Sequence, residues 1–179
     1  MKKAVNIGLL LTRSPHRICR PYNMEETSKN YWIGVISRAH AQVGVEGGFI
    51  QLNHGKKAPL QRLHAGDSII IYSPRDAYPD GSVLQHFTAI GQIVTGDIYQ
   101  VEMTSDFKPY RLDVGFMKCH ETPIKPLIHS LSFIKNKTRW GSAFRFGHLK
   151  IPEPDFRIIA DAMGAKEVLK KIYSDHAFR

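Results

Sequence analysis

Trp32 and Trp140 are the side chains of this sequence best suited to gripping a flat ligand, because Gly34 and Gly141 stand close to them and leave room beside an indole. Stacking a planar heterocycle on one aromatic ring is worth ~1–3 kcal/mol. Two such walls would offset the cost of drawing a ring out of a stack, which is of the same order. The polar edge of the ligand must also be met, since an unpaired polar atom in a dry slot costs ~1–3 kcal/mol. Ser37 and Ser73 each end a strand-like run, and Asn30 offers an amide donor and acceptor just before one. Tyr72 and Phe87 serve equally as pocket walls or as interior filling. Cations for an anionic group come from His54-Gly55-Lys56-Lys57, with Arg62 and Arg145 as further partners. Each residue also has a plain reading. A strand tryptophan is usually core, Ser37 is placed to cap a helix, and paired loop lysines are usually solvated charge.

Other chemistries find less to work with. Cys119-His120-Glu121 sets a thiol beside an imidazole, but neighbours on a strand point to opposite faces, which disfavours a nucleophile and base pair. There is no Gly-x-Ser-x-Gly, no Walker-type phosphate loop, and no strand-to-helix glycine fingerprint in Gly44 to Gly48. His40, His54 and His64 lack metal-ligand spacing, so neither a metal nor a cofactor is expected. His86, on a strand face, reads as structural. Cys19 and Cys119 are far apart and are expected to be reduced thiols.

The elements that must position these residues follow from periodicity. Tyr31 to Ser37 alternates, with Tyr31, Ile33 and Val35 on one face and Trp32, Gly34 and Ile36 on the other. A helix is expected over Arg38 to Val45, ending at Gly44 and Gly47-Gly48, and a shorter one over Ala58 to Leu63. Ile69-Ile70-Ile71-Tyr72 reads as a strand buried on both faces. Leu84 to Val94 alternates Phe87, Ala89, Gly91 and Ile93 against Thr88, Ile90 and Gln92, and Gly96-Asp97 predicts a hairpin into Ile98 to Met103. Pro109 to Met117 and Ala143 to Ile151 read as extended, Ile124 to Leu131 as a short helical connection, and Phe156 to Met163 as a helix. A further helical stretch is expected over Lys166 to Tyr173. The sum is an α+β fold: a small curved β-barrel of five to six strands with short flanking helices.

With 179 residues and 42% hydrophobic content, one core is the expectation. The formal charge of +9 is unevenly spread. Residues 1 to 23 hold five basic side chains and no acid, so the remainder carries 20 basic and 16 acidic ones, a net of +4. Residues 1 to 23 therefore read as an upstream extension, with natural translation starting at Met24, or as a basic arm that orders on a polyanion; residues 1 to 29 stand outside the domain, which residues 30 to 179 are expected to form. No apolar run reaches the ~20 residues needed to span a bilayer, and Ile7 to Leu11 lacks a following cleavage site, so a cytoplasmic protein without a membrane partner is expected.

Several blocks, in order, resemble the EVE domain family of the PUA-like superfamily, related to the YTH domains. They are Tyr31-Trp32-Ile33-Gly34-Val35, Ser37, His40, Gly44-Val45-Glu46-Gly47-Gly48-Phe49, Gln51, His54-Gly55-Lys56, Pro59-Leu60, Gly66-Asp67, Tyr72-Ser73-Pro74, Phe87-Thr88-Ala89-Ile90-Gly91, and Trp140-Gly141 with Phe144-Arg145. The resemblance implies a PUA-like barrel and a pocket for a modified base, a 5-methylcytosine-type mark in DNA or a modified RNA base. It adds Phe144 to the candidate pocket and makes nucleic acid carrying such marks the expected partner, with any effector protein unidentified. Two rivals remain at this level: a binding domain for free nucleotides or another aromatic metabolite, and an enzyme acting on modified bases through His40, His54 or Cys119.

Overall fold

The alternation of Tyr31 to Val35 places two different cores on the two faces of one strand, and the rest of the sheet is built outward from it. In a computed structural model that describes residues 29 to 166 and 168 to 170, β1 (Tyr31–Val35) pairs in parallel with β3 (Ser68–Arg75) and antiparallel with β8 (His148–Ile151). The parallel pairing needs a crossover, supplied by α1 (Arg38–Gly47), the short β2 (Phe49–Ile50), a 3₁₀ turn at Asn53–Gly55, and α2 (Lys57–Leu60). β4 (Val83–Ile93) runs antiparallel to β3, and β6 (Tyr110–Met117) runs antiparallel to β4 and β2. The path is β2-β6-β4-β3-β1-β8, with two-residue strands β5 (Tyr99–Gln100) on β6 and β7 (Thr122–Pro123) on β4. β2 and β8 end the path without meeting, so the curled mixed sheet forms a half-barrel. α3 (Glu153–Ala162) closes one face.

Ile69, Ile70 and Ile71 have no exposed surface because both faces of β3 are covered. Ile70 and Tyr72 join Tyr31, Ile33, Phe156 and Ile159 on the α3 side. Ile69 and Ile71 join Trp32, Leu52, Leu60, Leu112 and Val114 on the other. At ~25 cal/mol per Å² of apolar surface, such two-sided burial is the main stabilising contribution. Among the described residues no helix is long and apolar enough to cross a membrane.

Three expectations are corrected. The hairpin from Leu84–Val94 into Ile98–Met103 does not form: β5 pairs with β6, through Tyr99 opposite Arg111, and β4 takes β6 as its neighbour. Ala143–Ile151 is not extended throughout, since a 3₁₀ helix spans Trp140–Phe144 before β8 begins. Phe87 does not share a face with Ala89. A bulge between Ile71 and Tyr72 pairs them with Ala89 and Phe87, skipping Thr88, so Phe87 turns into the same core as Ile90. Residues 1 to 29, expected to stand outside the domain, and the end of the expected stretch over 166 to 173 lie almost wholly outside the described residues.

Candidate functional site

Because β1 and β3 are parallel, both leave the sheet at the same end, and a cavity of about 820 Å³ opens there. Val35, Ile36 and Ser37 come from the end of β1, and Pro74 and Arg75 from the end of β3. One side of α1 contributes His40 and Val43, and the segment after β2 contributes Gln51, Asn53, His54 and Lys56. Arg145, Phe146 and Gly147 line it beside Asn53, and the exposed rings of Tyr78 and Phe107 also border it. The volume falls within the ~300–1,000 Å³ usual for small-ligand sites.

The backbone around the cavity is unusual. Asn53 and His54 have φ of 46° and 57°, in the left-handed region that costs a non-glycine residue on the order of 1 kcal/mol or more. Gly147, packed against Asn53, has φ of 80°, and an added Cβ there would collide with Asn53 Oδ1. Asn53 Nδ2 donates to the Phe146 carbonyl at 3.1 Å, so two loops 93 positions apart in sequence are clasped together. The Val35 amide donates to the Gly147 carbonyl at 2.8 Å and fixes the same loop to β1.

The polar groups of the walls form a donor and acceptor pair. Arg111 donates to Gln51 Oε1 at 3.4 Å, and its guanidinium lies 3.8 Å from the centre of the Phe49 ring. With its oxygen engaged by Arg111, the Gln51 amide has Nε2 left as a donor. Burial, and then the charge of Arg111, hold the His40 pKa below its ordinary 6.5, while a hydrogen bond to the Gln51 backbone partly opposes them. The lowered pKa favours the neutral imidazole at pH 7, in which the nitrogen bonding the Gln51 backbone is the donor and the other ring nitrogen has acceptor character. Ser37 occupies the N-cap position of α1 without making a side-chain cap bond, which leaves its hydroxyl available. Lys56, Arg75 and Arg145 give the rim positive charge, and among the described residues lining the cavity none is acidic.

Of the residues expected from sequence to form a site, Ser37, His54, Lys56 and Arg145 line this cavity; the others stand elsewhere. The two-indole slot is corrected. Trp32 is 4% exposed in one core and donates from Nε1 to Asp67 at 2.9 Å, whereas Trp140 packs on the opposite core, edge to face with Phe144. No ligand fits between rings on opposite faces of a sheet. The space expected beside Trp32 is filled, because a Cβ on Gly34 would lie 2.9 Å from Leu52. Tyr72 stacks on Phe144 with ring centres 4.2 Å apart and meets Phe87 edge to face, and all three are buried. Burial pushes the Tyr72 pKa up to about 12. Ser73 is buried and bonded to Thr88 Oγ1 at 2.8 Å. Asn30 binds Asp67 through its backbone amide and Nδ2. Lys57 lies over the Tyr110 ring, and Arg62 lies over Trp32 while contacting His148 Nε2 at 3.1 Å.

Gln51, Asn53, Arg75, Tyr78 and Phe146 carry no site signal in the sequence, and His40 enters there only through the rival enzyme reading. Gln51 and His40 sit in the quoted blocks, but nothing in their spacing reveals that Arg111, 60 positions beyond Gln51, sets the amide's orientation. Cys119 packs against the α3-side core, and burial raises its thiol pKa, so a thiolate is disfavoured there.

Comparison with known proteins identifies the family. The EVE domain family model matches residues 30–162. A UPF0310 protein of Mycolicibacterium vanbaalenii is 51% identical over 132 residues, covering 74% of this chain and 91% of the relative. UPF0310 protein YdcG of Bacillus subtilis is 50% identical over 135 residues, covering 75% of this chain and 92% of the relative. The solved structure of Rpa0253 from Rhodopseudomonas palustris matches 76% of this chain and 94% of its own, at 14% identity and a TM-score of 0.48.

Proposed function

This chain belongs to the EVE domain family, and from that premise we propose that it is a non-catalytic reader of a modified nucleobase, with the base held in the cavity at the ends of β1 and β3. The observation that carries this reading is the cavity's lining: apolar walls, a Gln51 amide whose oxygen is already bound by Arg111, an imidazole held neutral, and a cationic rim. A base edge that offers an acceptor next to a donor, such as the N3 and amino group of a cytosine, is complementary to Gln51 Nε2 and His40. Val35, Ile36, Val43 and Pro74 give a modification such as a methyl group an apolar surface, worth ~0.8 kcal/mol when fully buried. Lys56, Arg75 and Arg145 are placed to meet the attached phosphates, which position the chain without distinguishing the mark.

The test is binding to a panel of DNA and RNA oligonucleotides that differ only in one base modification, at one fixed salt concentration. A single mark should bind several-fold more tightly than its plain counterpart, because phosphate contacts are common to both. Equal affinity across the panel would refute the reading. Gln51→Leu should remove the preference, since it deletes the amide donor at similar size.

A further inference from the structure

Three loops that are distant in sequence bring exposed aromatic rings to the border of the same cavity. Phe146 is 66% exposed, Tyr78 72% and Phe107 38%. Large rings left in water on one rim mark a surface that is covered by something. The charge around them says what. Arg145 lies 4.4 Å from the centre of the Phe146 ring, His54 meets Tyr78 edge on at 5.3 Å, and Lys56 and Arg75 complete the rim, with no acidic side chain among the described lining residues. Exposed rings interleaved with cations are complementary to alternating bases and phosphates, as in single-stranded nucleic-acid sites.

We infer that the ligand is a polynucleotide strand rather than a free base or nucleotide, and that Phe146 and Tyr78 stack on the nucleotides flanking the one held in the cavity. The inference rests on the base-reading proposal and adds a surface that the cavity alone does not require. Phe146 is well placed for this role. Its backbone carbonyl is held by Asn53 Nδ2, Arg145 covers part of its ring, and the remainder of the ring faces solvent. A ring carried on an anchored backbone loses less freedom when a base stacks on it.

The experiment compares one modified base in three settings with the full chain: as a nucleoside monophosphate, at the centre of a single-stranded nonamer, and in the same nonamer with abasic flanking sites. The intact nonamer should bind about tenfold more tightly than the one with abasic flanks, which carries the same phosphates. Phe146→Ala should erase most of that gain, weakening the intact nonamer far more than the nonamer with abasic flanks, and Tyr78→Ala should act in the same direction. If the two nonamers bind alike, or Phe146→Ala weakens all three ligands by one factor, the inference is overturned even where the mark is still preferred. If plain and modified nonamers bind alike and both need Phe146, the strand contact stands and the reading of the mark falls. If no nonamer binds, both fall.

Discussion

Asp67 is the residue on which the sealed side of the fold most depends. Its buried carboxylate accepts from Trp32 Nε1, from Asn30 through both nitrogens, and from the His64 amide. Removing it leaves several donors without partners, at ~1–3 kcal/mol for each that stays buried. Asp67→Ala should lower the unfolding free energy by about 3 kcal/mol or more in urea titration; a loss below about 1 kcal/mol would show the hub to be dispensable. The same bond explains why Trp32 misleads in sequence. An indole beside a glycine looks like an open wall, and only the contact with Asp67, 35 positions away, shows its N–H to be engaged. His40 and His148 supply a second prediction. Burial lowers both from 6.5, aided by Arg111 at His40 and by Arg62 at His148. Below 6.5 the unfolded chain therefore takes up protons that the native state refuses, so stability should fall as pH drops from neutral to about 5. Ligand affinity should fall in the same window, because protonated His40 is no longer an acceptor. Thermal unfolding and binding followed against pH check both, and a flat affinity profile would remove His40 from the site.

Elements with a clear period were legible, and those set by long-range pairing were not. β1, α1 and the doubly buried β3 follow from alternation, from Gly48 at the helix end with φ of 68°, and from the isoleucine run. Neither the bulge in β4 nor the choice of β6 over β4 as the partner of β5 leaves a local trace. The bulge drops Thr88 from the pairing register, and β5 meets β6 through only two residue pairs. The clasp between Asn53 and the Gly147 loop was equally hidden, because it joins two turns through one side-chain bond. Gly147→Ala should break it. The residue would need φ near 80° and its Cβ would strike Asn53, so a stability loss of about 1 kcal/mol or more is expected, together with weaker ligand binding. Unchanged melting and affinity would show that the clasp does not shape the cavity.

On the scale of the whole molecule, the net charge of +9 suggested a polyanion, but the fold concentrates the relevant part of it. Lys56, Arg75 and Arg145 come from three separate segments and converge only because β1, β3 and β8 end or begin around one cavity. Arg145→Gln should weaken modified and plain oligonucleotides alike and reduce the dependence of log affinity on log salt by about one. A change in preference for the mark instead would move Arg145 from rim to reader. The central claim is where the base sits. It is tested most directly by side-chain NMR during titration with the oligonucleotide that binds best. The account predicts that the Gln51 side-chain amide and the His40 ring shift strongly while the indole N–H signals of Trp32 and Trp140 stay in place. Large shifts at either indole with a silent Gln51 would contradict it.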